Sequence, residues 1–480
     1  MLFSSITFIV LFLPVALALY YCCPFLKGKN GILLAASLIF YAWGEPRFVL
    51  IMICSIVINY GTGLLIGNTA FSASKRKTSL AFGVSVNVLI LFYFKYLGFS
   101  EQMLNSLLKL VHVSDFQFQI HKILLPLGIS FYIFQSLSYL VDVYRNPALV
   151  QRNILDLGLF ISFFPQLIAG PIVRYHDINL QIKERTHSLE LFAQGLERFI
   201  MGLAKKVLLA NTLAEYVDGV LRLEYSRTPS VYLFMAVIAG ILQLYYDFSG
   251  YSDMAIGIGR MFGFHILENF NYPLISKTST EFWMRWHISL SSWFRDYLYI
   301  PLGGNRKGLL RQTVNLLIVY ALVGLWHGAE FHFILFGLIC SMNIIVERAC
   351  KGVLNSLYGK GKAALIIRPI VAHIIFLSVS VCMFMFFRLD MKNSLLFYRN
   401  MFDAARKVPL RPEMLMLADT RFYIFLVCGI GFSFPWWRSL RVPANVFTTA
   451  LRYVLLIGLL VLSIGSLATE AYNPFLYFRF

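Results

Sequence analysis

Apolar stretches recur from one end of this chain to the other, separated by short polar breaks. They lie near Ser5 to Cys23, Ile32 to Trp43, Phe48 to Ile66, Leu80 to Phe94, Leu124 to Val143, Ile154 to Val173, Phe199 to Ala210, Val231 to Tyr246, Val314 to Trp326, Phe333 to Val346, Val371 to Phe387, Phe422 to Phe434 and Val454 to Leu467. A bilayer core about 30 Å thick takes roughly 20 helical residues to cross, so the longer stretches read as spanning helices. Several are too short, which points to tilted, broken or re-entrant helices whose backbone groups are satisfied around a protein-lined cavity. Breakers interrupt the runs at Leu125-Pro126-Leu127-Gly128, Phe164-Pro165 and Gly170-Pro171. Proline removes a helical N–H and disfavours helix at the preceding residue. The expected fold is all-α: a polytopic helical membrane protein with about 11 to 13 spanning or re-entrant segments.

The principal break in this pattern runs from Arg260 to Gln312, where Arg260, Lys277, Arg285, Arg295, Arg306, Lys307 and Arg311 stand among many aromatics. Too polar to span and too aromatic for a loose loop, it predicts short helices lying in an interface or dipping into a funnel. Smaller polar insertions at Tyr175 to Glu197 and Leu389 to Arg421 are the other candidates for caps outside the bilayer. No repeat of fixed period and no Ser/Gly-rich linker divides the chain, so a single membrane domain over 1–480 is expected, ending in an aromatic tail at 473–480.

Composition sharpens this. With 58% hydrophobic and 14% charged residues, the chain has too little polar surface for a soluble domain, whose charged fraction is about a quarter. The 42 Lys and Arg against 24 Asp and Glu would suit a nucleic-acid partner, but the basic residues sit in short loops between apolar spans. That is the positive-inside pattern, and no nucleic acid is expected. Lys27 and Lys29, then Lys75, Arg76 and Lys77, then Arg438, Arg441 and Arg452 share one face if the first helix enters from outside, which puts both termini on the extracytoplasmic side. Residues Met1 to Cys23 lack a basic n-region and a small-x-small site, so they read as a retained helix. The seven cysteines show no metal-ligand spacing and read as packing residues.

Four constellations carry candidate chemistry. His327 closes an almost wholly apolar run in Gly324-Leu325-Trp326-His327-Gly328-Ala329. An ionisable ring at such a position is costly, and is kept either as a hydrogen-bonded packing residue or because it lines a cavity and moves protons. His332 follows five residues later, about 140° round a helix, which argues against a metal pair. The second constellation is Trp286-His287 with Ser289, Ser291, Ser292, Trp293, Arg295, Asp296 and Tyr297; its bland reading is an interfacial helix with snorkelling cations. The third, Tyr245-Tyr246-Asp247-Phe248-Ser249-Gly250-Tyr251-Ser252-Asp253, carries two carboxylates expected to neutralise Arg285 or Arg295. The fourth is the ending Asn473-Pro474-Phe475-Leu476-Tyr477-Phe478-Arg479-Phe480, either an interfacial aromatic belt or a phenol that reaches back into a cavity. Gly303-Gly304-Asn305-Arg306-Lys307-Gly308 reads as a turn by default. The chain holds no Gly-x-Ser-x-Gly elbow, no P-loop and no His-Glu-x-x-His.

Taken in order, these motifs resemble the membrane-bound O-acyltransferase family, in its bacterial branch of alginate and peptidoglycan O-acetylation membrane proteins. The resemblance runs through most of the chain. It rests on Phe3-Ser4-Ser5, Leu125 to Tyr132, Phe164 to Pro171, Tyr246 to Asp253, the Trp286-His287 run through Arg306, and Gly324 to Ala329. It implies short helices around a transmembrane tunnel in the bacterial inner membrane, with His327 as the signature histidine and His287 as the second. It also implies Trp326, Trp286, Ser289, Arg295, Asp296, Asp247, Ser249, Asp253 and Asn305 along the tunnel or substrate path, and Tyr477 as an acyl relay. The implied reaction moves acetyl from cytoplasmic acetyl-CoA, with no permanently bound cofactor and no metal, to an extracytoplasmic glycopolymer through an SGNH-like partner transferase. His327 is the expected general base and His287 the group that orients the acyl carbonyl or its oxyanion. The competing readings are D-alanyl transfer from a carrier protein, and a transporter or flippase for a polar solute.

Overall fold

The computed structural model describes residues 1–111, 118–119, 123–168, 170–357, 362–403, 405–439, 445–469 and 473–474. All regular elements among them are helical. Seven described helices are long and apolar enough to cross a membrane: Val49–Gly67, Ala73–Leu110, Ser230–Met261, Gly308–His327, Phe331–Cys350, Ile367–Arg388 and Val446–Thr469. Two shorter apolar helices, Phe8–Cys22 and Thr420–Phe432, accompany them. Other apolar stretches break where the prolines predict. The run from Ile154 forms helices Ile154–Ser162 and Phe164–Leu167 and then loses helical geometry, while the run from Leu124 becomes helical only at Ile129, past Pro126 and Gly128.

The described residues gather into two compact units, one of residues 1–196 and 255–267, the other of 197–254 and 268–480. In the first, Phe8–Cys22 is packed into the protein through an aromatic cluster, the rings of Phe3, Phe8, Phe40 and Phe164 lying 4.9–6.4 Å apart. Asn59 and Asn87 exchange amide hydrogen bonds of 3.2 and 2.8 Å between two of the long helices, a polar link between apolar segments.

In the second unit, the helices Gly308–His327 and Phe331–Leu357 form a tight hairpin. A methyl group on Gly324 would lie 2.1 Å from the Phe333 carbonyl oxygen, and one on Gly337 2.1 Å from that of Tyr320. Only glycine lets the two backbones approach so closely, and the hairpin carries His327 on the last turn of its first arm. A second close crossing brings Gly202 against Gly250, each within 2.7 Å of the other's carbonyl oxygen were a methyl added. It delivers Lys205 and Lys206 to the acidic face of Ser230–Met261.

The polar segment folds as expected into short helices, Ser279–Arg285 and Ile288–Phe294, the latter continued by a wider turn over Arg295–Tyr299. Its limits differ: helix reaches Met261 on one side, where Arg260 in the last turn suits the negative end of the helix dipole, and resumes at Gly308 on the other. The cysteines require a correction. Cys340 is buried, but Cys22, Cys54, Cys350 and Cys382 face outward, where a small apolar thiol is tolerated beside lipid.

Candidate active site

His327 is buried in the wall of a cavity of about 120 Å³. The Phe387 ring stands edge-on at 5.4 Å, and the remaining wall is mostly apolar, with Phe248, Phe282, Trp286, Phe376, Val379 and Phe384 among its members and Asn343, Ser279 and Ser380 as polar exceptions. Four of the lining residues, Ser279, Asn343, Phe376 and Val379, also line a wider hollow of about 660 Å³ that bears three cations, Lys277, Arg348 and Arg368, against one carboxylate, Glu347, which accepts from the Ser279 backbone N–H. A narrow apolar chamber with a histidine in its wall therefore adjoins a roomy cationic one.

His287 is held differently. It is buried at the N-terminal end of Ile288–Phe294 with left-handed backbone, φ 44° and ψ 53°. The backbone N–H of Ile288 donates to the Asn269 carbonyl at 2.9 Å, and that of Asn271 to the Arg285 carbonyl at 2.9 Å, so two strands of irregular chain are laced together around it. The imidazole Nδ1 lies 3.1 Å from Asn269 Oδ1, which also accepts from the Ser289 hydroxyl at 2.8 Å. The ring edges onto Phe248 at 4.6 Å and Trp326 at 5.9 Å, and Trp326 in turn stands 5.0 Å from the His327 ring. Burial, first, and the nearby His327 hold the His287 imidazole well below the ordinary histidine range, so the ring is neutral at physiological pH.

The acidic constellation pairs with cations other than those expected. Asp247 meets buried Lys206 at 2.8 Å, and Asp253 meets Arg198 and Lys205, each at 2.6 Å. Arg285 pairs instead with Glu281 and Arg295 with its neighbour Asp296. The cause is the Gly202–Gly250 crossing, which sets Lys205 and Lys206 on the neighbouring helix against these two carboxylates. Lys206 Nζ also donates to Asn211 Oδ1 at 2.7 Å and to the Pro474 carbonyl, while Asn211 donates to Asn473 at 3.2 Å. The described part of the tail is thus tied to a buried ion pair.

Of the residues nominated from sequence, His327 and Trp286 line the cavity, and His287, Ser289 and Trp326 gather beside it. Asp247 and Asp253 serve ion pairs, and Ser249 is buried on the same helix. Arg295 and Asp296 bond to each other, with Arg295 60% exposed, and Asn305 is exposed on its loop, so the structure does not bring these three to the cavity. Tyr477 lies outside the described residues. Sequence reasoning missed Asn269, Lys206 and the cavity wall from Phe376 to Phe387. Lys206 carried a usable signal, an ionisable residue inside an apolar run, which averaging over that run concealed.

The family model for the membrane-bound O-acyltransferases matches residues 87–388. Over the full length of both chains, this one is 38% identical to the "Probable alginate O-acetylase AlgI" of Pseudomonas putida. It is 46% identical to the protein of the same name from Azotobacter vinelandii, over 73% of this chain and 69% of that one. It is 36% identical to the peptidoglycan O-acetyltransferase of Helicobacter pylori, over 73% of this chain and 71% of the other.

Proposed function

This chain belongs to the membrane-bound O-acyltransferase family, and from that premise we propose that it carries acetyl from cytoplasmic acetyl-CoA across the inner membrane for O-acetylation of an extracytoplasmic glycopolymer. It is a multi-pass membrane acyltransferase; the donor, the polymer and the route between them are the proposal. The observation that carries it is the pair of adjoining hollows. Coenzyme A is a polyanionic nucleotide on a slim, uncharged arm that ends in the thioester. Lys277, Arg348 and Arg368 suit the phosphates, the chamber of Phe282, Trp286, Phe376 and Phe387 suits the arm, and His327 stands in its wall. The excess of basic residues in short loops between apolar spans supports a cytoplasmic donor side with both termini outside.

In this reading His327 takes the proton of the attacking hydroxyl as the oxygen bonds to the acyl carbon. The carbon–sulfur bond then breaks, and the departing thiolate recovers that proton from the imidazolium as free coenzyme A. The chain's own polar insertions are too small to bind a polymer, so a separate SGNH-like transferase outside the membrane completes the delivery. Tyr477 is the proposed relay. The bonds that tie Asn473 and Pro474 to Asn211 and Lys206 support the relay reading over the interfacial-belt reading. Proton transfer from a phenol to a histidine is uphill by about 3.5 pKa units, roughly 5 kcal/mol, so it must accompany attack and not precede it.

The donor assignment is tested in proteoliposomes with labelled acetyl-CoA. The double variant Lys277→Gln, Arg368→Gln should raise KM about tenfold while kcat changes less than threefold, since each exposed cation contributes modestly to phosphate binding. An unchanged KM sinks the assignment of the hollow, and transfer from a D-alanyl carrier protein in place of acetyl-CoA sinks the donor. For the relay, Tyr477→Phe should fold and bind donor normally yet fail to acetylate polymer; full polymer acetylation by that variant leaves direct transfer to the partner.

A further inference from the structure

The way His287 is held settles which of its nitrogens carries hydrogen. Asn269 Oδ1 and Nδ2 are told apart by their neighbours: the backbone N–H of Ser289 lies 3.2 Å away and can only donate, so the amide atom facing it is the oxygen. The other amide atom then donates to Ser252 Oγ at 3.0 Å. His287 Nδ1 lies 3.1 Å from that same oxygen and 3.4 Å from Ser289 Oγ, whose single hydrogen goes to the nearer Asn269 Oδ1 at 2.8 Å; Nδ1 therefore faces acceptors and must carry the proton if the contact is to be a bond at all. A neutral imidazole has one N–H. Its Nε2 is therefore bare.

The surroundings make this arrangement rigid. His287 has a backbone conformation that L residues avoid, fixed by the Ile288 N–H on the Asn269 carbonyl; one residue thus grips both the main chain and the ring. Phe248 and Phe270 flank the imidazole, leaving little room for it to flip. Among the described residues, His327 is the titratable neighbour that acts on its charge.

We infer that Asn269 is a positioning residue that locks neutral His287 in the Nδ1–H tautomer, so that Nε2 accepts a hydrogen bond or a proton at the reaction centre and does not donate to the acyl oxygen. This deepens the acyltransferase reading and rests on it for its catalytic consequence. It also changes the division of labour implied by family resemblance: both histidines stand on the proton-accepting side, and the acyl oxygen must find its donor elsewhere. When Nε2 takes a proton, the ring becomes an imidazolium with Nδ1–H still on Asn269. An uncharged amide orients that cation without the counter-charge a carboxylate would give, so the proton is easily passed on.

Two measurements test this. Histidine 15N NMR of the full chain in bilayers, with His287→Gln identifying the resonances, should show Nδ1 protonated and Nε2 bare; the opposite tautomer overturns the inference whether or not the chain transfers acetyl. In acetyl transfer, Asn269→Leu should lower kcat about 10- to 100-fold with KM for acetyl-CoA within twofold, and should add nothing to the loss already caused by His287→Ala. Asn269→Asp, nearly isosteric, should keep most of the activity but move the acid limb of the kcat–pH profile upward, because a carboxylate favours the protonated ring and a higher pH is then needed to bare Nε2. Wild-type kcat in the Leu variant, or an unmoved acid limb in a folded and active Asp variant, overturns the positioning role. A wild-type chain with the expected tautomer but no acetyl transfer would sink the functional reading and leave the tautomer standing.

Discussion

Trp286-His287 and Trp326-His327 are the same dipeptide in two opposite settings. In the first, tryptophan lines the cavity and histidine turns into a polar nest; in the second, histidine lines the cavity and tryptophan turns toward the other pair. The difference lies in the backbone. His327 ends a regular helix whose direction is set by the Gly324 and Gly337 contacts. His287 stands between two seven-residue helices in left-handed geometry, which reverses the side of the chain that each member presents. A dipeptide names the chemistry available, and the local main chain decides which half of it meets a substrate.

The sharpest way to break the comparison is to remove each histidine in turn. His327→Ala should cost at least about a thousandfold in acetyl transfer, since a lost base leaves the attacking hydroxyl protonated. His287→Ala should cost about a hundredfold, water substituting in part for its Nε2. Expression and membrane insertion should stay near normal in both, and transfer rates at saturating donor decide the order. A dead His287 variant beside an active His327 variant would reverse the assignment, and equal losses would make the two rings a single unit.

How much of this was legible beforehand follows from the same contrast. The histidines stood out because an ionisable ring in an apolar run is expensive, and the broken helices stood out because proline cannot donate. The cavity wall did not. Phe376, Phe384 and Phe387 belong to an apolar helix in which nothing in the residue pattern separates a cavity-facing phenylalanine from one facing lipid. Lys206 was hidden inside a run whose mean is apolar, and the partners of Asp247 and Asp253 were misassigned because a helix crossing, not sequence proximity, chooses them. Asn269 is an unremarkable asparagine in a polar segment until its side chain is seen between Ser252, Ser289 and His287.

The smallest expected effect concerns the tryptophan that took the place of a histidine at the cavity. Trp286 packs its ring 5.1 Å from Phe270 and 5.4 Å from Phe282 and closes one side of a chamber of about 120 Å³ beside His327. If that chamber holds the acyl end of the donor, its size limits acyl length, and one methylene in an apolar pocket is worth about 1–3 kcal/mol of discrimination. Trp286→Ala should lower kcat/KM for acetyl-CoA a few-fold and raise it for butyryl-CoA, shifting the preference between the two by about tenfold. Truncating a packed tryptophan also destabilises the fold, by about 3–5 kcal/mol in well-packed cores, so the absolute rates will fall for reasons unrelated to selectivity. The ratio of the two donors, measured in competition on one preparation, is indifferent to the fraction of protein that is folded. An unmoved ratio would put the acyl group somewhere other than against Trp286, and would leave this member of the matched pair as packing alone.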